Sequence, residues 1–172
     1  SVGSADCDLS KPAAIRNLIQ TVKPDVLINP AAYTAVDRAE SEPALAKAIN
    51  ANAPEVMANE LKKTGGVLVH FSTDYVFDGQ KTTPYTELDT PNPQSVYGQT
   101  KLQGEQAITA SGVDHVILRT SWVFGAHGNN FLKTMLRLAA EREELRVVNN
   151  QFGAPTSARF LAQTVTQMLG RP

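Results

Sequence analysis

The sequence is short of nearly everything that would take it outside ordinary soluble α/β proteins. Of its 172 residues only Cys7 is a cysteine, which excludes an internal disulfide and a thiolate metal cluster. The histidines, His70, His115 and His127, lie too far apart to show metal-ligand spacing, so no metal is expected. No apolar run approaches the roughly 18 residues of a membrane span, and the first residues do not read as a signal peptide. Sixteen Lys and Arg against seventeen Asp and Glu leave a formal net charge of −1. That balance offers no basic surface to nucleic acid or to a membrane, and neither is an expected partner. A reducing, cytoplasmic setting is the simplest inference.

What is present is an alternation of helical and strand patterns. Ser10 reads as an N-cap and Pro12 as a first-turn residue for a helix through "PAAIRNLIQTV", with Ile15, Leu18, Ile19 and Val22 at helical spacing. "DVLINPAA" reads as a strand ending in small residues. A helical region from Glu42 to Lys63 is closed by Gly65-Gly66, and Pro43 and Pro54 predict two helices or one interrupted helix. "VLVHFST", from Val67 to Ser72 and on into Thr73, is a second strand, and "QKTTPYTELDTPNPQS" is a loop. A helix through "VYGQTKLQGEQAITAS" ends at Gly112, and "HVILRTSWVF" is a third strand. A helix in "NFLKTMLRLAAERE", a short strand "LRVV" and a helix near "SARFLAQTVTQML" complete the chain. The pattern predicts an α/β fold, a Rossmann-type doubly wound and mostly parallel sheet.

Chemistry-bearing residues gather at the strand ends. In "YGQTK", Tyr97 and Lys101 stand four apart on a predicted helix, one turn apart on one face. A tyrosine titrates near ~10, so bringing it toward neutrality requires roughly 4 kcal/mol. A lysine cation about 4 Å away supplies that order of energy at an effective dielectric near 20. Alone, the pair also reads as a half-buried Tyr beside a solvated Lys. Taken singly, Thr73 reads as a turn cap, Ala31-Ala32 as helix packing and Trp122 as core. Together, at three successive strand ends, they read as a site, because ligands bind at the carboxyl ends of the strands in open α/β sheets.

The segments "DVLINPAAYTAVDRAESEP", "VHFSTDYVFDG", "VYGQTKLQGE", "ILRTSWVFGAHGNNFLKTMLRLA" and "VVNNQFGAPT" resemble, in order, the extended short-chain dehydrogenase/reductase superfamily and, within it, the dTDP-4-dehydrorhamnose reductases. The resemblance implies catalytic Thr73, Tyr97 and Lys101. Tyr97 protonates the C4 oxygen of a dTDP-4-dehydro sugar while NADPH or NADH delivers hydride. It also implies cofactor contacts at Asp8, Leu9, Ala31, Ala32, Tyr33, Thr34, Tyr97 and Lys101. Substrate contacts are implied at Thr73, Asp74 and Trp122. Residues 1–121 are then part of an NAD(P)-binding domain. Residues 122–172 are part of a substrate-binding region, with a helix returning to the first. A homodimer is compatible with the resemblance. His70, His127 and Cys7 gain no role from it and are expected to be structural. Two alternatives stand beside this reading: a non-catalytic reductase-like regulatory subunit, and a related nucleotide-sugar reductase or epimerase.

The sequence departs from the pattern in two places. Pro30 stands where a small residue is usual, and the glycine-rich dinucleotide turn of the first βαβ segment is absent. If the sheet has the order 3-2-1-4-5-6, the missing strands belong between Val26–Asn29 and Val67–Ser72. The expectation is that these two strands are not neighbours, and that the chain by itself binds NADPH poorly.

Overall fold

A computed structural model describes residues 1–170. The chain divides into two compact units, Ser1–Arg119 and Thr120–Pro172. The last two residues of the expected substrate-binding region, 171 and 172, lie outside the described residues.

The first unit carries α1 (Pro12–Val22), β1 (Val26–Asn29), α2 (Val36–Ala39), α3 (Pro43–Lys47), α4 (Ala53–Thr64), β2 (Val67–Thr73), α5 (Val96–Ser111) and β3 (Asp114–Thr120). The three strands form one sheet in the order β1-β2-β3. β1 and β2 are parallel, with Val26 opposite Val67 and Asn29 opposite His70. The expected separation of these two strands is therefore wrong. β1 and β2 are direct neighbours joined by the α2–α4 crossover, so they pair as successive strands do and leave no gap at the centre of the sheet.

The core is apolar and shared among layers. Ile15 and Ile19 of α1, Met57, Ala58 and Leu61 of α4, Leu68 of β2 and Ile108 of α5 form its centre, with Cys7 and Val113 at its margin. Leu18 packs against this cluster, whereas Val22 is exposed. α1 begins at Pro12, as its fixed φ favours, but Ser10 is not the cap. Its hydroxyl is instead bonded to Asp8 Oδ1 at 2.7 Å. Left-handed residues close three helices: Lys23 after α1, Gly65 after α4 and Gly112 after α5.

The helical stretch from Pro43 to Thr64 is interrupted without being broken. Pro54 has no N–H for the Asn50 carbonyl, and its ring would press on that oxygen in a regular helix. The chain widens into a π-turn over Ala48–Asn52 before α4 resumes. The Asn50 carbonyl then faces α5, where a Cβ on Gly104 would stand 2.2 Å from it. Gly104 is the residue that lets α5 lie against the π-turn.

The second unit is smaller. β4 (Val123–Phe124) and β5 (Thr156–Ser157) pair in parallel, and α6 (Phe131–Glu141) and α7 (Ala158–Leu169) complete it. The stretch expected as one strand, "HVILRTSWVF", is two, because Trp122 adopts a left-handed φ of 46° that an extended strand cannot contain. No strand forms at "LRVV". Val147 and Val148 are exposed there, and β4 takes Thr156–Ser157 as its partner instead. Asn130 caps α6 by accepting from the Lys133 N–H, and Ser157 caps α7 by accepting from the Phe160 N–H. Among the described residues no helix is long and apolar enough to cross a membrane.

Candidate active site

β2 carries its apolar residues up to a polar end. Leu68 and Val69 are buried in the sheet, and the strand then presents His70, Ser72 and Thr73. Thr73 does double duty. Its Oγ1 accepts from the Tyr75 N–H at 3.2 Å, capping a tight turn over Asp74–Val76, and lies 3.2 Å from Asp74 Oδ1. The cap and the site are thus the same side chain.

Tyr97 reaches Thr73 from the first turn of α5. Ser95 caps that helix, its Oγ accepting from the Gly98 N–H at 3.1 Å. A Cβ on Gly98 would stand 2.2 Å from the Tyr75 carbonyl oxygen, so only glycine admits the helix this close to the Asp74–Val76 turn. The approach brings the Tyr97 phenol near the Thr73 hydroxyl and sets the Tyr75 and Tyr97 rings edge to face, 5.6 Å apart.

Lys101 is 1% exposed, one turn further along α5. Its Nζ donates to the Phe71 carbonyl at 2.6 Å and lies 3.2 Å from His70 Nε2. Burial lowers its pKa to about 8, with Glu105 opposing. Glu105 is itself held by Arg119 of β3 at 2.6 Å. The expected draw of Lys101 on the Tyr97 phenol toward neutrality is absent. Burial pushes Tyr97 up, the nearby Thr73 hydroxyl opposes it, and Asp74 and Tyr75 add to the rise. Lys101 has the Phe71 carbonyl as its close partner. A phenol that keeps its proton is the form a proton donor requires.

The loop after β1 leaves the sheet at the same end as Thr73, since Asn29 and His70 are partners in the parallel register. It contains Ala31, Ala32, Tyr33 and Thr34. Asn29 Oδ1 accepts from the Ala31 N–H at 3.2 Å. Asn50 clamps Tyr33 on both sides: Oδ1 accepts from its N–H at 2.8 Å and Nδ2 donates to its carbonyl at 3.1 Å. The same Nδ2 lies 3.3 Å from Thr100 Oγ1 on α5. The Tyr33 hydroxyl donates to Glu42 at 2.7 Å. Ala31 and Thr34 are exposed on a pinned backbone with room for a flat ring and ribose, and Lys101 lies buried against the carboxyl-terminal half of the central strand β2.

The other expected residues have their own local contacts. Asp8 accepts from the Ser10 N–H at 2.9 Å and pairs with Lys11, and the Ser10 bonds hold its carboxyl below the usual range. Leu9 packs against the core. Trp122 belongs to the second unit, 41% exposed and tilted against Phe131. His127 is exposed. Among the described residues no group of three or more His, Cys, Asp or Glu is placed to hold a metal. Sequence reasoning missed Asn50, Asn29 and Gly98. A polar residue four before a helical proline was the available signal for Asn50.

The profile of the RmlD substrate binding domain matches residues 1–172. The chain belongs to this family. It is 51% identical over 164 residues to a dTDP-4-dehydrorhamnose reductase of Burkholderia thailandensis, covering 95% of this chain and 55% of that protein. A crystal structure of a dTDP-4-dehydrorhamnose reductase from Clostridium acetobutylicum matches with a TM-score of 0.93 at 43% identity, over 98% of this chain and 60% of that one. A Bacillus anthracis dTDP-4-dehydrorhamnose reductase solved in complex with NADP matches with the same TM-score at 39% identity, over the same shares. The RmlD-family chain thus has the Rossmann-type fold of these reductases. It spans about half the length of the curated relatives it matches.

Proposed function

We propose that the full-length protein reduces the C4 ketone of dTDP-4-dehydro-6-deoxy-L-mannose to dTDP-L-rhamnose with NADPH or NADH. The observation that carries this reading is that the Tyr97 phenol stands close enough to the Thr73 hydroxyl to be influenced by it, at the carboxyl end of β2, where a strand end meets a helix pressed close by Gly98. The names of the relatives supply the substrate class, and the NADP in the Bacillus anthracis complex supplies the cofactor.

The reduced nicotinamide, when bound, supplies the hydride for C4. The chain does the rest. Tyr97 donates its proton to the C4 oxygen, and the Thr73 hydroxyl donates a hydrogen bond to the same atom, so that charge growing on the oxygen meets two donors. Thr73 turns from Tyr97 and Asp74 to do so. Lys101 has two hydrogen-bond partners among the described residues, and the remaining N–H of its ammonium serves the nicotinamide ribose. The residues of the loop Ala31–Thr34 would hold the dinucleotide, and Asp8 and Leu9 would contact its adenine side. Asp74 and Trp122 contact the deoxysugar. In this reading residues 1–121 serve the cofactor and 122–172 the sugar, and the protein works in the cytoplasm without nucleic acid or membrane as partner. A sugar-dependent loss of reduced-nicotinamide absorbance on adding substrate to the full-length protein tests it; no loss removes the reaction.

A further inference from the structure

His70 is fully buried, and both ring nitrogens are engaged. Nδ1 lies 3.1 Å from Asn29 Nδ2, and Nε2 lies 3.2 Å from Lys101 Nζ. Asn29 in turn takes the Ala31 N–H on Oδ1 at 3.2 Å. A line of hydrogen bonds therefore runs from the backbone of the loop after β1, through an amide and an imidazole, to the lysine.

Each junction on that line holds one proton. With Oδ1 given to Ala31, the Asn29 NH₂ faces His70 Nδ1, which must then be the bare nitrogen. A neutral imidazole so placed carries its proton on Nε2 and points it at Lys101. Only the uncharged amine has a lone pair to accept it. If Lys101 is an ammonium it donates to Nε2, and the imidazole proton moves to Nδ1. Asn29 must then turn Oδ1 toward the ring, and the Ala31 N–H loses its acceptor. The ring does not resolve the conflict by taking a second proton, since burial and the Lys101 charge lower its pKa to about 3.

We propose that His70 is a positioning residue which couples the charge of Lys101 to the orientation of the Asn29 amide, and through it to the Ala31 end of the cofactor-side loop. The neutral lysine goes with a pinned Ala31, and the ammonium with a released one. The coupling rests on the reading of Lys101 and this loop as parts of one site. Other charged groups bear on the same place. Glu105 of α5 favours the ammonium and is paired to Arg119 of β3. Asp74 after β2 and Asp37 of α2 act on the neighbouring tyrosines. None of these lies on the hydrogen-bonded line itself.

The test is the tautomer. In full-length protein labelled with ¹⁵N-histidine, the Nδ1 and Nε2 resonances of His70 are followed from about pH 6 to about pH 10, spanning the lysine titration. The expected result is a proton on Nδ1 at the low end and on Nε2 at the high end, exchanging with the midpoint of Lys101 read from ¹³C-lysine. His70→Gln offers an amide oxygen to the ammonium, and Asn29→Ala frees the imidazole from its fixed partner. Each should raise the Lys101 midpoint by about half a unit or more. The alkaline limb of kcat/KM should follow by the same amount. One tautomer held throughout while Lys101 titrates overturns the coupling, as does a midpoint unmoved in both variants. The resonances need no turnover, so this outcome is independent of whether the sugar has been named correctly.

Discussion

Gly98 and Tyr75 meet backbone to backbone: a Cβ on Gly98 would stand 2.2 Å from the Tyr75 carbonyl oxygen. This contact fixes how near the start of α5 comes to the turn after β2, and so how near Tyr97 stands to Thr73. Gly104 repeats the arrangement two turns on, against the Asn50 carbonyl that Pro54 leaves without its helical partner.

Gly98→Ala and Gly104→Ala should each destabilise the protein by roughly 1–3 kcal/mol through overpacking. Helix propensity alone would favour alanine by up to about 1 kcal/mol, so the sign of the change separates the two effects. Urea unfolding reads it. The Gly98 variant should also lose turnover, because Tyr97 is displaced from Thr73. A Gly98 variant as stable as the parent would show that the close approach is not made.

Tyr97→Phe should lower kcat by a factor of about 10²–10⁴, the range for general acid catalysis. Cofactor affinity should change little. Steady-state kinetics with a parallel cofactor titration separates the two, and near-normal turnover would take Tyr97 out of the mechanism.

His70 gives the fold an acid limit. Its pKa falls from the ordinary 6.5 to about 3 because burial, and then the Lys101 charge, oppose a second proton. The unfolded chain takes up that proton as pH drops through 6.5, and the folded chain refuses it until about 3. The contribution is therefore complete above the unfolded value and is lost as pH falls across this window. Urea midpoints should decline more steeply between these limits in the parent than in His70→Phe. Parallel declines would mean that the ring is not held neutral.

Trp122 is too exposed to behave as core, at 41%. Trp122→Ala should cost well under the ~3–5 kcal/mol of a buried tryptophan while weakening the sugar more than the cofactor. A Cβ on Gly153 would lie 2.9 Å from the indole Nε1, so Gly153→Ala should shift the ring and mimic part of that phenotype. A large stability loss with unchanged sugar affinity would return Trp122 to a packing role.

The parts of this structure legible in the sequence are those set by local chemistry. The bounds of α1 and α5 follow from Pro12, Ser95 and Gly112, residues whose preferences act within one turn. Strand pairing is not local. The register that sets Asn29 beside His70 depends on a crossover of some forty residues, and nothing within either strand's own sequence says that β1 and β2 are neighbours. The π-turn was half visible, since Pro54 marked an interruption but not its form. "LRVV" has the composition of a strand without a partner to pair with. The partners of Lys101 are not legible for a physical reason: spacing on a helix says which groups are near, not which carbonyl or imidazole a buried lysine reaches first.

The central claim is tested most directly by mixing the full-length protein with NADPH and dTDP-4-dehydro-6-deoxy-L-mannose and following both the nicotinamide absorbance and the sugar product. The account predicts one NADPH oxidised per dTDP-L-rhamnose formed, at a rate that falls with Tyr97→Phe. NADPH left unoxidised by a folded protein that binds both ligands, or turnover indifferent to Tyr97, would contradict it.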